Sequence, residues 1–94
     1  MSILAEVSIF PMGTGESVGE AVAGAVALIR ESGLDYKVGP MGTTLEGEWD
    51  EVMNVVGRCH QAMRSKHPRV YMTIKIDSRE GGPGRLEEKV ERVT

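Results

Sequence analysis

Glu46 and Glu48 stand two positions apart in a Thr- and Gly-rich stretch and are the first residues whose types and spacing could do chemistry. Paired carboxylates act as general acid and base when their surroundings separate their proton affinities. These two fall on one side of a strand-length segment with no Lys or His activator beside them, so the pair is weak evidence for catalysis. His60 and His67 lie about two helical turns apart with no third ligand to complete a metal site, and they read as solvent-exposed helix histidines. Cys59 is the one cysteine, without a partner for an internal disulfide or a zinc cluster. It falls on an apolar helix stripe, where a buried small hydrophobe is the expectation rather than a nucleophile. Gly13-Thr14-Gly15 precedes a helix start but lacks the Walker spacing, which leaves an entry loop that could hold an incidental anion. With no nucleophile–base pair and no metal cluster, a non-enzymatic binding protein without catalytic or metal-ligating residues is expected.

The elements that must position these groups are legible from periodicity. Residues 2–10 alternate, with Ile3, Ala5, Val7 and Ile9 on one side and Leu4, Glu6, Ser8 and Phe10 on the other, and Pro11 marks the exit. Ser17 with Glu20 forms a capping box for a helix whose stripe is Val18, Ala21, Val22, Ala25 and Ile29, and Gly33 ends it as a left-handed cap. Gly24 costs roughly 1 kcal/mol against Ala inside that helix, which predicts a close approach of its backbone to a sheet. Residues 36–38 and 43–48 are two short strands joined by the turn residues Gly39-Pro40-Met41-Gly42. Trp49-Asp50 opens a second helix with Trp49, Val52, Met53, Val56, Cys59 and Met63 at helical spacing, stopped by His67-Pro68. Residues 69–77 alternate again, and after the Gly81-Gly82-Pro83-Gly84 loop Leu86, Val90 and Val93 outline a short helix over residues 85–93. Nine residues do not hold a helix in water alone, so this one must dock, on its own domain or on a neighbour.

The order β-α-β-β-α-β with a final short α is an α+β, ferredoxin-like sandwich occupying residues 1–94 as one domain. Right-handed crossovers predict a four-stranded antiparallel sheet, strand order 4-1-3-2, with both long helices on one face. The opposite face is left open. It should carry Leu4, Glu6, Ser8 and Phe10, with Tyr71, Thr73 and Lys75 on one flank and Thr44 and Glu46 on the other, while Thr43 and Leu45 point inward. The plain reading of that face is a solvated sheet with cross-strand pairs such as Glu6 with Lys75. Leu4, Phe10 and Tyr71 together favour burial against another subunit, with a small-molecule pocket at the edge of the interface.

Composition narrows the partners. Ninety-four residues make one thin core, almost entirely aliphatic because only one Trp, two Tyr and one Phe are present, and a chain of this size gains from oligomerisation. The net charge is −3 with no Lys/Arg block, which argues against nucleic acid. The strand corresponding to 43–48 has no aromatic for base stacking. No apolar run reaches the roughly 20 residues of a membrane span, and no signal peptide is read, so a cytoplasmic location is expected.

Three segments carry a resemblance: Ala5-Glu6-Val7-Ser8-Ile9-Phe10-Pro11; Tyr36-Lys37-Val38-Gly39-Pro40-Met41-Gly42-Thr43-Thr44-Leu45-Glu46-Gly47-Glu48; and Trp49-Asp50-Glu51-Val52. Together they resemble the small thiamine-binding protein family, over nearly the whole chain. The resemblance implies a ferredoxin-like domain pairing sheets face to face into a homodimer or homotetramer. It implies binding of thiamine or its hydroxymethylpyrimidine moiety as ligand, with no cofactor and no reaction, as carrier or sensor. On such a ligand Ser8, Thr43 and Thr44 would hydrogen-bond the pyrimidine, Glu6 or Glu46 would balance the thiazolium charge, and Phe10, Met12 and Tyr71 would cover the rings. Two other readings stay open: a ligand-free assembly module, and a regulatory domain for another metabolite such as an amino acid.

Overall fold

The computed structural model describes residues 2–13, 18–80 and 84–93, with Arg85 described by its backbone alone. The elements run β1 (Ser2–Pro11), α1 (Val18–Glu31), β2 (Asp35–Val38), β3 (Thr43–Glu48), α2 (Trp49–Arg64), β4 (Val70–Ser78) and α3 (Arg85–Val93). They form an α+β ferredoxin-like sandwich whose sheet has the order β2-β3-β1-β4. All three ladders are antiparallel.

Register follows the hydrophobic alternation. Ala5 pairs with Leu45 and Ile76, and Val7 with Thr43 and Ile74, so these side chains share the inner face under α1 and α2. Ile3, Ala5, Val7, Ile9 and Leu45 are buried there with Ala25 and Ile29 of α1 and Val52, Val55, Val56, Cys59 and Met63 of α2. Gly33 has φ +80, the left-handed conformation of a helix C-cap. At the start of α2 the Glu48 N–H donates to Glu51 Oε1 at 3.3 Å, which satisfies a donor at the helix entrance. Trp49, expected on the buried stripe, is 51% exposed. It is the first residue of α2, before the helix settles onto the sheet.

Two expectations are corrected. Gly24 does not bring α1 close to the sheet: a Cβ there would meet nothing within 4 Å, and the residue lines a groove between α1 and α2 instead. The outer face is also not left open along its length, because α3 lies across one end of it. The Gly84 N–H donates to Glu46 Oε1 at 3.1 Å. Lys37 on β2 pairs with Glu87 at 3.4 Å, and Lys89 pairs with Asp77 on β4. The helix therefore spans the sheet from one edge strand to the other. Leu4, which pairs with both Glu46 and Asp77, and Leu86 of α3 are each 6% exposed. The short helix docks on its own domain. The Ser17 cap, the Thr14-Gly15 part of the entry loop and the Gly81-Gly82-Pro83 turn lie outside the described residues.

Candidate functional site

The predicted ligand-binding residues divide among three places. Glu6, Ser8 and Phe10 of β1 share the outer face with Thr44 of β3 and Tyr71 of β4, because Glu6 pairs with Thr44 and Phe10 with Tyr71. Phe10 and Tyr71 stack with centroids 5.6 Å apart and planes at 27°, and Tyr71 is 50% exposed. Glu6 forms an ion pair with Lys75 at 3.2 Å. This strip is the part of the outer face beyond the reach of α3.

Glu46 shares the face but not the exposure. It is 4% exposed and accepts the Gly84 N–H, so it anchors α3 rather than offering a free countercharge on an open sheet. Thr43 departs further. Paired with Val7, it points to the inner face and is buried. A strand has period two, so the hydroxyls of Thr43 and Thr44 cannot serve one ligand from the same side. Met12 follows β1, half-buried, with its N–H donating to Arg69 O at 2.9 Å.

Thr43 lines a cavity of about 310 Å³ between the start of α1, the end of β1 and the β2–β3 turn. Val22 and Val26 of α1 and Val38 and Met41 of the hairpin form apolar walls, and Ser8 and Phe10 contribute from β1. Small-molecule sites occupy about 300–1,000 Å³, which puts this one at the small end. Hairpin and strand come together through a close approach at Gly42, where a Cβ would sit 3.0 Å from the Val7 carbonyl oxygen. The Gly39 N–H donates to Gly42 O at 2.8 Å and closes the turn. Sequence reasoning missed this wall. Its signal was the mismatch in length between the ten-residue β1 and the six-residue β3, which leaves the end of β1 without β3 beside it.

Elsewhere the chemistry-bearing residues stay apart. Cys59 is buried, its thiol donates to Ala25 O at 3.6 Å, and burial pushes the thiol up, opposed by the nearby Arg58 charge. His60 and His67 are both partly buried. Among the described residues no three His, Cys, Asp or Glu side chains gather as metal ligands, and no helix is long and apolar enough to cross a membrane.

Residues 5–94 match the family model described as thiamine-binding protein. The chain belongs to that family. It is 43% identical over 94 residues to a UPF0045 protein of Mycobacterium bovis, covering 99% of this chain and 92% of the relative. A Methanocaldococcus jannaschii family member is 33% identical, and its crystal structure matches with a TM-score of 0.89 over 98% of this chain and 95% of that one. A Thermotoga maritima structure, described as a candidate thiamine biosynthesis/salvage protein, matches with a TM-score of 0.89 at 28% identity and full coverage of both chains. In this thiamine-binding family member the first-strand and hairpin segments that carry the resemblance are the two β elements bordering the cavity.

Proposed function

We propose that the protein binds thiamine or its hydroxymethylpyrimidine moiety without catalysis, as a carrier or sensor. Family membership over residues 5–94 carries this reading. The cavity beside Thr43 supports it physically: it is walled by aliphatic side chains and sized for one heterocycle. Ser8 and Phe10 belong both to the cavity lining and to the outer strip. A two-ring ligand would seat its pyrimidine in the cavity and extend its cationic thiazolium toward the Phe10–Tyr71 rings and the Glu6 carboxylate. The same aromatic strip would pair with a second copy of the chain, which would place the ligand at or near a subunit interface.

Isothermal titration calorimetry with thiamine and with hydroxymethylpyrimidine, run beside sedimentation, tests the reading. Saturable binding at a fixed ratio per subunit is expected. A well-folded protein giving no heat with either would overturn it. The half-exposed Phe10–Tyr71 stack favours one second reading, a ligand-free assembly module, which predicts an oligomer whose sedimentation is indifferent to either compound.

A further inference from the structure

Backbone groups of a β-strand alternate sides, so a central strand sends the N–H and C=O of one residue to one neighbour and those of the next residue to the other. In β1 the sides can be assigned. The Met12 N–H donates to Arg69 O, next to β4, so even-numbered residues bond toward β4. The Val7 carbonyl lies 3.0 Å from the position of a Gly42 Cβ, so odd-numbered residues bond toward β3. Pro11 agrees with this assignment: it pairs with Val70 and has no N–H to give to β4.

The two ladders end at different places. Pairing with β4 continues to Pro11, whereas pairing with β3 stops at Val7↔Thr43, where the chain departs into the Gly39–Gly42 turn. Ile9 is the next odd residue. Its side chain is in the core, while its N–H and C=O face the space β3 would have filled. Neither group bonds to turn or loop backbone among the described residues, and Ile9 lines the cavity. A donor and an acceptor thus stand side by side at a mostly aliphatic pocket that Ser8 and Thr43 also border. Buried backbone groups are paired with protein or ordered water in nearly all proteins, so a ligand that supplies the complementary pair can take the place of water in the notch.

We infer that the Ile9 peptide edge is the recognition element for the aminopyrimidine ring, its N–H donating to a ring nitrogen and its C=O accepting from the adjacent exocyclic amine. The assignment rests on the thiamine reading and adds to it which atoms select the ligand. Val22 and Val26 would cover one ring face and Met41 the other, and Thr43 would border the ring. Selectivity then follows from backbone geometry. A ring without the amine leaves the Ile9 carbonyl stranded, which a site built for hydrogen bonding rejects strongly.

The test uses the protein labelled with nitrogen-15 and titrated with hydroxymethylpyrimidine, its desamino analogue and thiamine, with calorimetry in parallel. A downfield shift and slowed hydrogen exchange of the Ile9 amide are expected, with the desamino analogue bound at least about 10-fold more weakly. Val22→Trp, which fills the cavity while leaving the strand edge intact, should abolish binding with the fold retained. Saturable binding with an unmoved Ile9 amide, or equal affinity for the desamino ring, would overturn the notch assignment and leave the thiamine reading standing. Absence of binding by all three compounds to folded protein would overturn both.

Discussion

The Gly84 N–H and the Glu46 carboxylate meet at 3.1 Å, joining the residue just before α3 to the middle of β3 across the outer face of the sheet. A carboxylate removed from water is stable only with donors arranged around it, and this contact makes docking of α3 part of the environment that keeps Glu46 buried. Glu46→Ala should therefore destabilise the protein by about 2 kcal/mol, the range of a charge-assisted hydrogen bond. It should also remove hydrogen-exchange protection from the amides of residues 86–90 before those of β1. Unchanged α3 protection in the variant would mean that the helix is held by its other contacts.

Leu86 is the apolar part of the same docking. It is the one buried hydrophobe of α3, while Val90 and Val93 are exposed. Truncating it to Ala should cost about 2 kcal/mol, at the low end for a buried leucine because a short surface helix can settle into the gap. The flanking Lys37–Glu87 pair is mostly exposed. Lys37→Ala should therefore shift chemical-denaturation stability by under about 1 kcal/mol. A loss at Lys37 equal to that at Leu86 would show that charge, not burial, seats the helix.

Topology and register were legible from sequence because β1 and β4 alternate without interruption and one face must be dry. The predicted placement of Thr44 and Glu46 outward and Thr43 and Leu45 inward agrees with their partners Glu6, Leu4, Val7 and Ala5. The docking of α3 was not legible: three valine or leucine positions specify an apolar stripe but not the surface that receives it. That choice depends on groups 38 and 50 residues away from their partners, Glu46 and Lys37, whose roles appear only when the sheet brings them together. The cavity was hidden for a related reason. It is made by where a ladder stops, and strand ends are the least certain feature of a periodicity argument.

Cys59 gives a pH prediction. Burial holds its thiol above the ordinary value of 9.0, so the folded state keeps the proton when the unfolded chain has lost it. Stability from this group is unaffected below the unfolded value and falls as pH rises through 9.0 toward the folded value. Cys59→Ala should flatten that alkaline fall in urea titrations relative to the unmodified protein, at the cost of a small cavity. In the folded protein near pH 8, an aromatic disulfide reagent should label the thiol at least about 100-fold more slowly than in denaturant, since access requires opening of the structure. Rapid labelling under native conditions would contradict the burial.

Phe10 and Tyr71 form a stacked pair with one half-exposed ring. Aromatic pairs add about 0.5–1.5 kcal/mol beyond their burial. Tyr71→Ala should lower monomer stability by no more than about 1 kcal/mol, because much of the ring already meets water. If the strip pairs with a second copy of the chain, the same variant should weaken self-association by 10-fold or more in sedimentation equilibrium. A self-associating protein whose assembly is indifferent to Tyr71→Ala would place the interface on another surface.

Thr43 and Thr44 separate the two halves of the candidate site, because adjacent strand residues face opposite ways. Thr43 borders the cavity, and Thr44 stands on the outer face opposite Glu6. Replacement by Val keeps the shape of either side chain and removes only the hydroxyl. Neither change should shift stability by more than about 1 kcal/mol, so calorimetry would report binding rather than unfolding. A pyrimidine in the cavity predicts that Thr43→Val weakens hydroxymethylpyrimidine binding by about 10-fold, the loss of one neutral hydrogen bond, while Thr44→Val leaves it unchanged. Thiamine adds the cationic ring, so Glu6→Gln should weaken thiamine binding but leave the isolated pyrimidine unaffected. The reverse pattern, with Thr44 sensitive and Thr43 silent, would move the ligand onto the sheet face and away from the notch beside Ile9.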